Sequence, residues 1–160
     1  MADQDRIIRK TLAEYLKGGN AHASVDDALK DFPPSLFARK PKDMPHSAWQ
    51  LLEHMRIALH DLLDFCTNPD YEAPSWPDGY WPKNDGPESS TAWKQSVKAL
   101  QKDFQEFEKL LHSPGTDLYA KIPWGEGQTI FREILLAGDH TSYHTGQLIL
   151  LRRQLGAWKE

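Results

Sequence analysis

The segment SAWQLLEHMRIALHDLLDFC, residues 47–66, indicates which class of fold the chain adopts. Ser47 and Gln50 match a capping box at a helix N-terminus, and Pro45 disfavours an earlier start. Apolar residues then recur every three or four positions, which is the period of one helix face: Trp49, Leu52, Met55, Leu59, Leu62 and Leu63. We therefore predict a long helix from Ser47 to about Cys66.

Apolar residues recur with the same period in other segments on both sides of this one. These segments predict three further long helices: Asp3–Lys17, Thr91–His112 and Gln128–Leu155. A shorter turn or helix is predicted from Ser24 to about Phe32. Because the alternation typical of β-strands is nearly absent, we predict an all-α protein whose long helices form a four-helix bundle.

Between the second and third long helices lies the irregular segment NPDYEAPSWPDGYWPKNDGPESS, residues 68–90. This Trp/Pro-rich loop contains five prolines and four aromatic residues: Tyr71, Trp76, Tyr80 and Trp81. Aromatic side chains bury a large area when they pack, which argues against a flexible linker. We expect the loop to fold over another part of the protein.

Length and composition limit the class of protein. A chain of 160 residues suits one domain, here residues 1–160. The net charge of −4 gives no sign of the clustered basic face that binds nucleic acid. No apolar run is long enough for a membrane span. Cys66 is the single cysteine and cannot form an intramolecular disulfide. We expect a cytoplasmic protein that binds neither nucleic acid nor membrane.

The segment DHTSYHTGQ, residues 139–147, places His140 and His144 one turn apart on the last predicted helix. Residues four positions apart point to the same side of a helix, so both rings could bind one metal ion. Their apolar neighbours have the spacing of a buried face: Ile134, Ala137, Leu148 and Leu151. An alternative remains open, in which both rings lie at the margin of the core with ordinary hydrogen-bond partners.

A third imidazole, His54, lies in the middle of the second long helix at or near its apolar stripe. Together with His140 and His144 it would supply three nitrogen ligands, a set suited to Zn²⁺, Ni²⁺ or Fe²⁺. Three protein ligands leave a coordination position open for water or substrate, as in catalytic sites. The other histidines are weaker candidates, because they lie in loops, at a helix end or on another helix face: His22, His46, His60 and His112.

Polar residues near these histidines in sequence are candidates for supporting roles. Glu53 and Asp139 each adjoin a candidate ligand, but adjacent helical residues diverge by about 100°, which favours a surface position. Tyr143 and Gln147 are better placed to line a pocket, although a core tyrosine and a helix-packing glutamine are equally good interpretations. No general base is identified by spacing.

Two further residue types allow a functional and a structural interpretation. Trp76 and Trp81 could form walls of the metal pocket, but burial that anchors the loop explains them more simply. Cys66 could act as a nucleophile, yet a cysteine at an apolar helix end is more often an inert packing residue.

The segments DHTSYHTGQLILLRRQLGAW, residues 139–158, and HSAWQLLEHMRIAL, residues 46–59, resemble the DinB-like (damage-inducible, YfiT-like) superfamily of metalloenzymes. The resemblance covers nearly the whole chain, and the H-x-G-Q-L...L-G ending is a specific signature of it. It implies that His54, His140 and His144 bind one divalent metal in an up-down-down-up four-helix bundle, often a homodimer. Relatives include S-transferases and isomerases that use low-molecular-weight thiols.

These observations favour a metal-dependent enzyme that acts on a small-molecule substrate. The reaction that we expect is either thiol-dependent S-transfer or hydrolysis. The alternative from another class is a non-catalytic metal-binding stress-response or dimeric interaction protein. A bundle that binds no metal is a third possibility.

Overall fold

The computed structural model describes residues 2–158, which form five α-helices and no β-strand. The helices are α1 (Ala2–Lys17), α2 (Val25–Leu29), α3 (Ala48–Thr67), α4 (Ser90–His112) and α5 (Ile130–Gln154). The all-α prediction is confirmed, and each long helix begins and ends within about two residues of its predicted bounds. Residues 1, 159 and 160 of the predicted domain lie outside the described range. Among the described helices, none has both the length and the apolar character needed to cross a membrane.

Local hydrogen bonds explain where α3 begins. The Ser47 hydroxyl accepts a hydrogen bond from the Gln50 backbone N–H, and the Gln50 side chain accepts one from the Ser47 N–H, both at 3.1 Å. Two otherwise unsatisfied donors of the first turn are thereby paired. The predicted capping box is confirmed, and it fixes the register of the helix that carries His54.

The helix contacts position α3 and α5 side by side. α3 packs against both α4 and α5, and α1 also contacts both of them. The fully buried side chains of this packing are mostly leucines: Leu51, Leu52, Leu59, Leu100, Leu111, Leu148 and Leu151, with Met55, Phe107 and Ile134. The predicted inward face of α5 is confirmed, because Ile134, Ala137, Leu148 and Leu151 are all buried. The two helices with candidate metal ligands are therefore in direct contact.

The short helix α2 is attached to the end of α5 by a buried arginine. Only 6% of Arg152 is exposed, and its guanidinium lies 5.0 Å from the centroid of the Phe32 ring. It donates hydrogen bonds to four backbone carbonyl oxygens, those of Asp27, Ala28, Asp31 and Ala157. Two of these carbonyls, those of Asp27 and Ala28, lie at the C-terminal end of α2, where helix carbonyls have no intrahelical partner. Arg152 therefore satisfies acceptors of α2 that its own turn leaves unpaired.

Candidate metal centre

The structure brings His54 of α3 together with His140 and His144 of α5. Each residue offers one ring nitrogen, and these three atoms lie within 4.8 Å of one another. Nε2 of His140 lies 3.1 Å from Nε2 of His54. His54 and His144 are buried, whereas His140 is half-buried. Two helices thus direct three imidazoles at one point.

The Trp/Pro-rich loop orients the ring of His54. Nδ1 of His54 lies 2.9 Å from the backbone carbonyl oxygen of Tyr80. Because a carbonyl oxygen only accepts, Nδ1 carries the proton and the lone pair is on Nε2, which faces the α5 histidines. The indole of Trp81 stacks on the same imidazole, with ring centroids 3.8 Å apart and planes 2° from parallel. The loop therefore holds both the edge and the face of this ring.

Residues of α5 orient the ring of His144. Its Nδ1 lies 2.8 Å from Oε1 of Gln147, one turn further along the helix. An N–H at Nδ1 donates to this amide oxygen and leaves Nε2 with a lone pair. The Tyr143 ring packs edge-on against His144 at 4.9 Å between centroids and is 64% exposed. Gln147 thus supports a candidate ligand, and Tyr143 lies at the border between the site and solvent.

Burial keeps these imidazoles neutral. Desolvation, with the nearby positive charges that protonated His144 and His54 would carry, lowers the pKa of His140 from 6.5 to about 4. Burial also lowers the pKa of His54 and of His144, although hydrogen bonds to Tyr80 and Gln147 partly oppose it. A histidine binds a metal through a neutral ring, so all three are in the form that ligation requires near pH 7.

The donor set fits a small divalent cation. Two ring nitrogens that each present a lone pair repel one another at 3.1 Å unless a proton or a cation lies between them. Two nitrogens bound to one ion at about 2.0–2.1 Å each would lie about 3 Å apart. Imidazole nitrogens suit Zn²⁺, Ni²⁺ or Fe²⁺ and suit Ca²⁺ or Mg²⁺ poorly. The geometry and the chemistry therefore agree with a transition-metal site.

We expect the metal-free protein to lose stability in acid. Because the pKa of His140 is about 4 in the folded protein and 6.5 for an unperturbed histidine, the unfolded chain takes up protons first as the pH falls. The free energy of unfolding is therefore highest above about pH 6.5 and falls as the pH approaches 4. After solvent screening, His140 alone accounts for a loss of about 1–2 kcal/mol. Urea unfolding of chelator-treated protein at pH 7 and pH 5 measures this loss. A His140→Asn variant with the same pH dependence would contradict the assignment to His140.

His46 was expected to be a weak candidate in a loop, but the structure places it near the site. Its ring stacks on Trp81 with centroids 4.0 Å apart and planes 16° from parallel. His54 stacks on the same indole at 3.8 Å, and two rings this close to one centroid can avoid overlap only on opposite faces. His46 and His54 therefore sandwich Trp81. Burial is the main cause that lowers the pKa of His46.

The expected surface position of Glu53 is wrong, whereas that of Asp139 is confirmed. The Glu53 side chain is only 12% exposed and accepts hydrogen bonds from Arg56 and from Ser96 of α4. Burial opposes ionisation of Glu53, but these hydrogen bonds lower its pKa overall. The carboxylate therefore contributes to packing between α3 and α4.

The remaining candidates lie apart from the three histidines. His60 is 63% exposed in its side chain and pairs with Asp103 of α4, while His22 and His112 lie in a loop and at a helix end. Burial raises the pKa of Cys66 to about 12, in agreement with an inert packing residue. Trp76 is 80% exposed, so the expectation that it anchors the loop by burial is wrong.

Comparison with known proteins agrees with these observations. The family model of the DinB family matches residues 4–160. Searches of curated proteins and of solved structures each found no significant match. The matched region includes α3, α5 and all of the clustered histidines. The chain therefore belongs to the DinB family.

Proposed function

We propose that this protein binds one divalent transition metal ion through His54, His140 and His144. The observation that carries the proposal is the convergence of three neutral ring nitrogens within 4.8 Å of one another. Hydrogen bonds from Nδ1 of His54 and of His144 leave Nε2 available on both rings. In this proposal the four long helices form an up-down-down-up bundle around the site.

We further propose that the metal site is catalytic, in a thiol-dependent S-transferase or a hydrolase. Three protein ligands leave room for a small molecule at the ion. A bound divalent ion would lower the pKa of a thiol or a water molecule at that position. In S-transfer the thiolate sulfur forms a bond to a carbon of the second substrate, and the leaving group departs with the electron pair of the broken bond.

Residues of the chain would shape the space next to the ion. Trp81 covers one face of His54 and excludes water from it. Tyr143 lies beside His144 with an exposed phenol, where it could contact a substrate that enters from solvent. These aromatic surfaces suit a small molecule with an apolar part rather than a polymer.

Two assays, one for S-transfer and one for hydrolysis, test the catalytic proposal. Metal-loaded protein is incubated with a chloronitrobenzene electrophile and glutathione, cysteine, bacillithiol or mycothiol in turn, and separately with a nitrophenyl ester. We expect turnover in one of these assays and a loss of at least about 100-fold in His54→Ala, because activation of the thiol or water depends on the ion. Activity that survives this substitution would remove the metal from the mechanism. Stoichiometric metal without turnover would favour the non-catalytic alternative.

We also propose that the protein works as a cytoplasmic homodimer. Apolar side chains lie exposed on α5, where Leu135 is 40% and Leu150 51% exposed, and on α1, where Ile7 is 56% exposed. A second copy of the chain would remove such side chains from water. Light scattering coupled to size exclusion measures the mass, and a monomer at micromolar concentration would contradict this part of the proposal.

A further inference from the structure

A carboxylate on α3 binds two hydroxyl groups of the Trp/Pro-rich loop. Asp61 lies about two turns after His54, and its Oδ1 accepts a hydrogen bond from the Tyr71 hydroxyl at 2.7 Å. Its Oδ2 accepts one from the Tyr80 hydroxyl at 2.8 Å. Each carboxylate oxygen of Asp61 therefore accepts a hydrogen bond from a tyrosine of the same loop. Hydrogen bonds to an ionised acceptor are about twice as strong as neutral ones.

Tyr80 makes contacts in two directions. Its hydroxyl binds Asp61, while its backbone carbonyl accepts the hydrogen bond from Nδ1 of His54 at 2.9 Å. The next residue, Trp81, stacks on the His54 ring. A continuous chain of contacts thus runs from Asp61 through Tyr80 to a candidate metal ligand on the same helix.

The loop needs such side-chain contacts because its backbone is largely irregular. Between α3 and α4 the described residues contain one short 3₁₀ turn, Asp78–Tyr80, and no longer helix or strand. Burial, with the adjacent Asp61 carboxylate, raises the pKa of Tyr80 to about 12, and the same causes raise the pKa of Tyr71. Both hydroxyls therefore keep the protons that they donate to Asp61 at neutral pH.

We propose that Asp61 is a positioning residue of the metal centre, which acts through Tyr80 to fix the ring of His54. The inference rests on the metal binding proposed above. A ligand that is held in its binding orientation loses less freedom when the ion binds, so the supporting contacts contribute to metal affinity. Substitutions of the two tyrosines can distinguish this role from simple anchoring of the loop. Both hydroxyls bind Asp61, but the carbonyl that accepts the hydrogen bond from His54 belongs to Tyr80.

The experiment compares Zn²⁺ affinity, by competition with a chromogenic chelator, in wild type, Asp61→Asn, Tyr80→Phe and Tyr71→Phe. Asp64→Asn is the matched control, because Asp64 lies on the same helix and its carboxylate accepts from Asn68 at 3.3 Å. We expect affinity about 10-fold weaker in Asp61→Asn, an intermediate loss in Tyr80→Phe, and changes within about twofold in Tyr71→Phe and the control. The absorption spectrum of the Co²⁺-loaded protein should shift in Asp61→Asn and Tyr80→Phe only. Thermal unfolding of each metal-free variant separates these effects from a general loss of stability.

The outcomes distinguish this inference from the proposed function. Wild-type affinity in both Asp61→Asn and Tyr80→Phe would overturn the inference while metal binding stands. Equal losses in Tyr71→Phe and Tyr80→Phe would overturn it as well, since Asp61 would then only anchor the loop. A wild-type protein that binds no Zn²⁺, Ni²⁺, Fe²⁺ or Co²⁺ would overturn both proposals. If Asp61→Asn does not fold, the comparison of the two tyrosine variants decides.

Discussion

Replacement of His140 by alanine is expected to reduce bound metal from about one ion per chain to less than a tenth of that amount after dialysis. His140 supplies the nitrogen that lies 3.1 Å from Nε2 of His54, so its loss would leave two ligands from two different helices. Outer-shell partners of metal ligands contribute about 10–100-fold to affinity. Removal of a ligand itself should therefore weaken binding by more than about 100-fold. Elemental analysis and chelator competition measure the two quantities.

His60→Ala is the matched control for this prediction. His60 is also a histidine of the helical region, but its side chain is 63% exposed and its ring pairs with Asp103. Its replacement should leave both the metal content and the affinity as in wild type. Undiminished metal in His140→Ala, or an equal loss in His60→Ala, would contradict the proposed ligand set.

Replacement of Arg152 by methionine is expected to lower the free energy of unfolding by about 3 kcal/mol and Tm by about 10 °C. Methionine keeps much of the apolar stem but removes every donor of the guanidinium. The backbone carbonyls that Arg152 now binds, among them Ala28 at 2.9 Å and Ala157 at 3.1 Å, would lose a charged partner. Burial of the guanidinium is itself costly, and this limits the net loss. Urea and thermal unfolding measure the change.

Arg153→Met serves as the control, because this neighbouring arginine is exposed while Arg152 is 6% exposed. Arg153 lies 5.9 Å from the Trp158 ring, a contact worth about 0.5–1 kcal/mol at an exposed position. We expect a loss of at most about 1 kcal/mol in this variant. Equal stability of the two variants would show that the carbonyl contacts of Arg152 contribute little.

Sequence periodicity predicted the helices well because each one buries a continuous apolar face. The capping box at Ser47 fixed the start of α3, and the inward spacing of Ile134 and Leu148 on α5 matched their burial. Since a helix presents residues at fixed angles, the apolar stripe also indicated that His54 faces the interior. His54 was therefore grouped with the α5 pair, and the resemblance to a known superfamily implied the same three ligands.

The contacts that orient His54 could not be predicted, because they come from a loop without any period. No spacing rule indicates that the Tyr80 carbonyl faces a histidine 26 residues earlier in the chain, or that Trp81 stacks on it. Asp61 likewise gave no signal, since one carboxylate on a helix is usually a surface residue. Such contacts depend on the path of the backbone between helices, which composition leaves undetermined.

The error at Glu53 has a different cause. A helical wheel places Glu53 about 100° from His54, which indicates the surface of a helix with a single packed face. α3, however, packs against both α4 and α5, so two of its faces are covered. Ser96 of α4 approaches Glu53 on the second face. The number of neighbours around a helix, which decides such cases, is a property of the whole fold.

If the proposed ion binds, the division of the histidines between α3 and α5 would connect metal supply with the lifetime of the protein. His54 and His140 are 86 residues apart in the chain, so an ion that bound both would act as a reversible crosslink over a long segment. Because the two rings are adjacent only in the folded chain, the ion would favour the folded state, by a free energy that rises with the logarithm of the ion concentration. In a cell short of zinc, nickel or iron, a larger fraction of the chains would open and become substrates for proteases. The abundance of the protein would then follow the concentration of its metal.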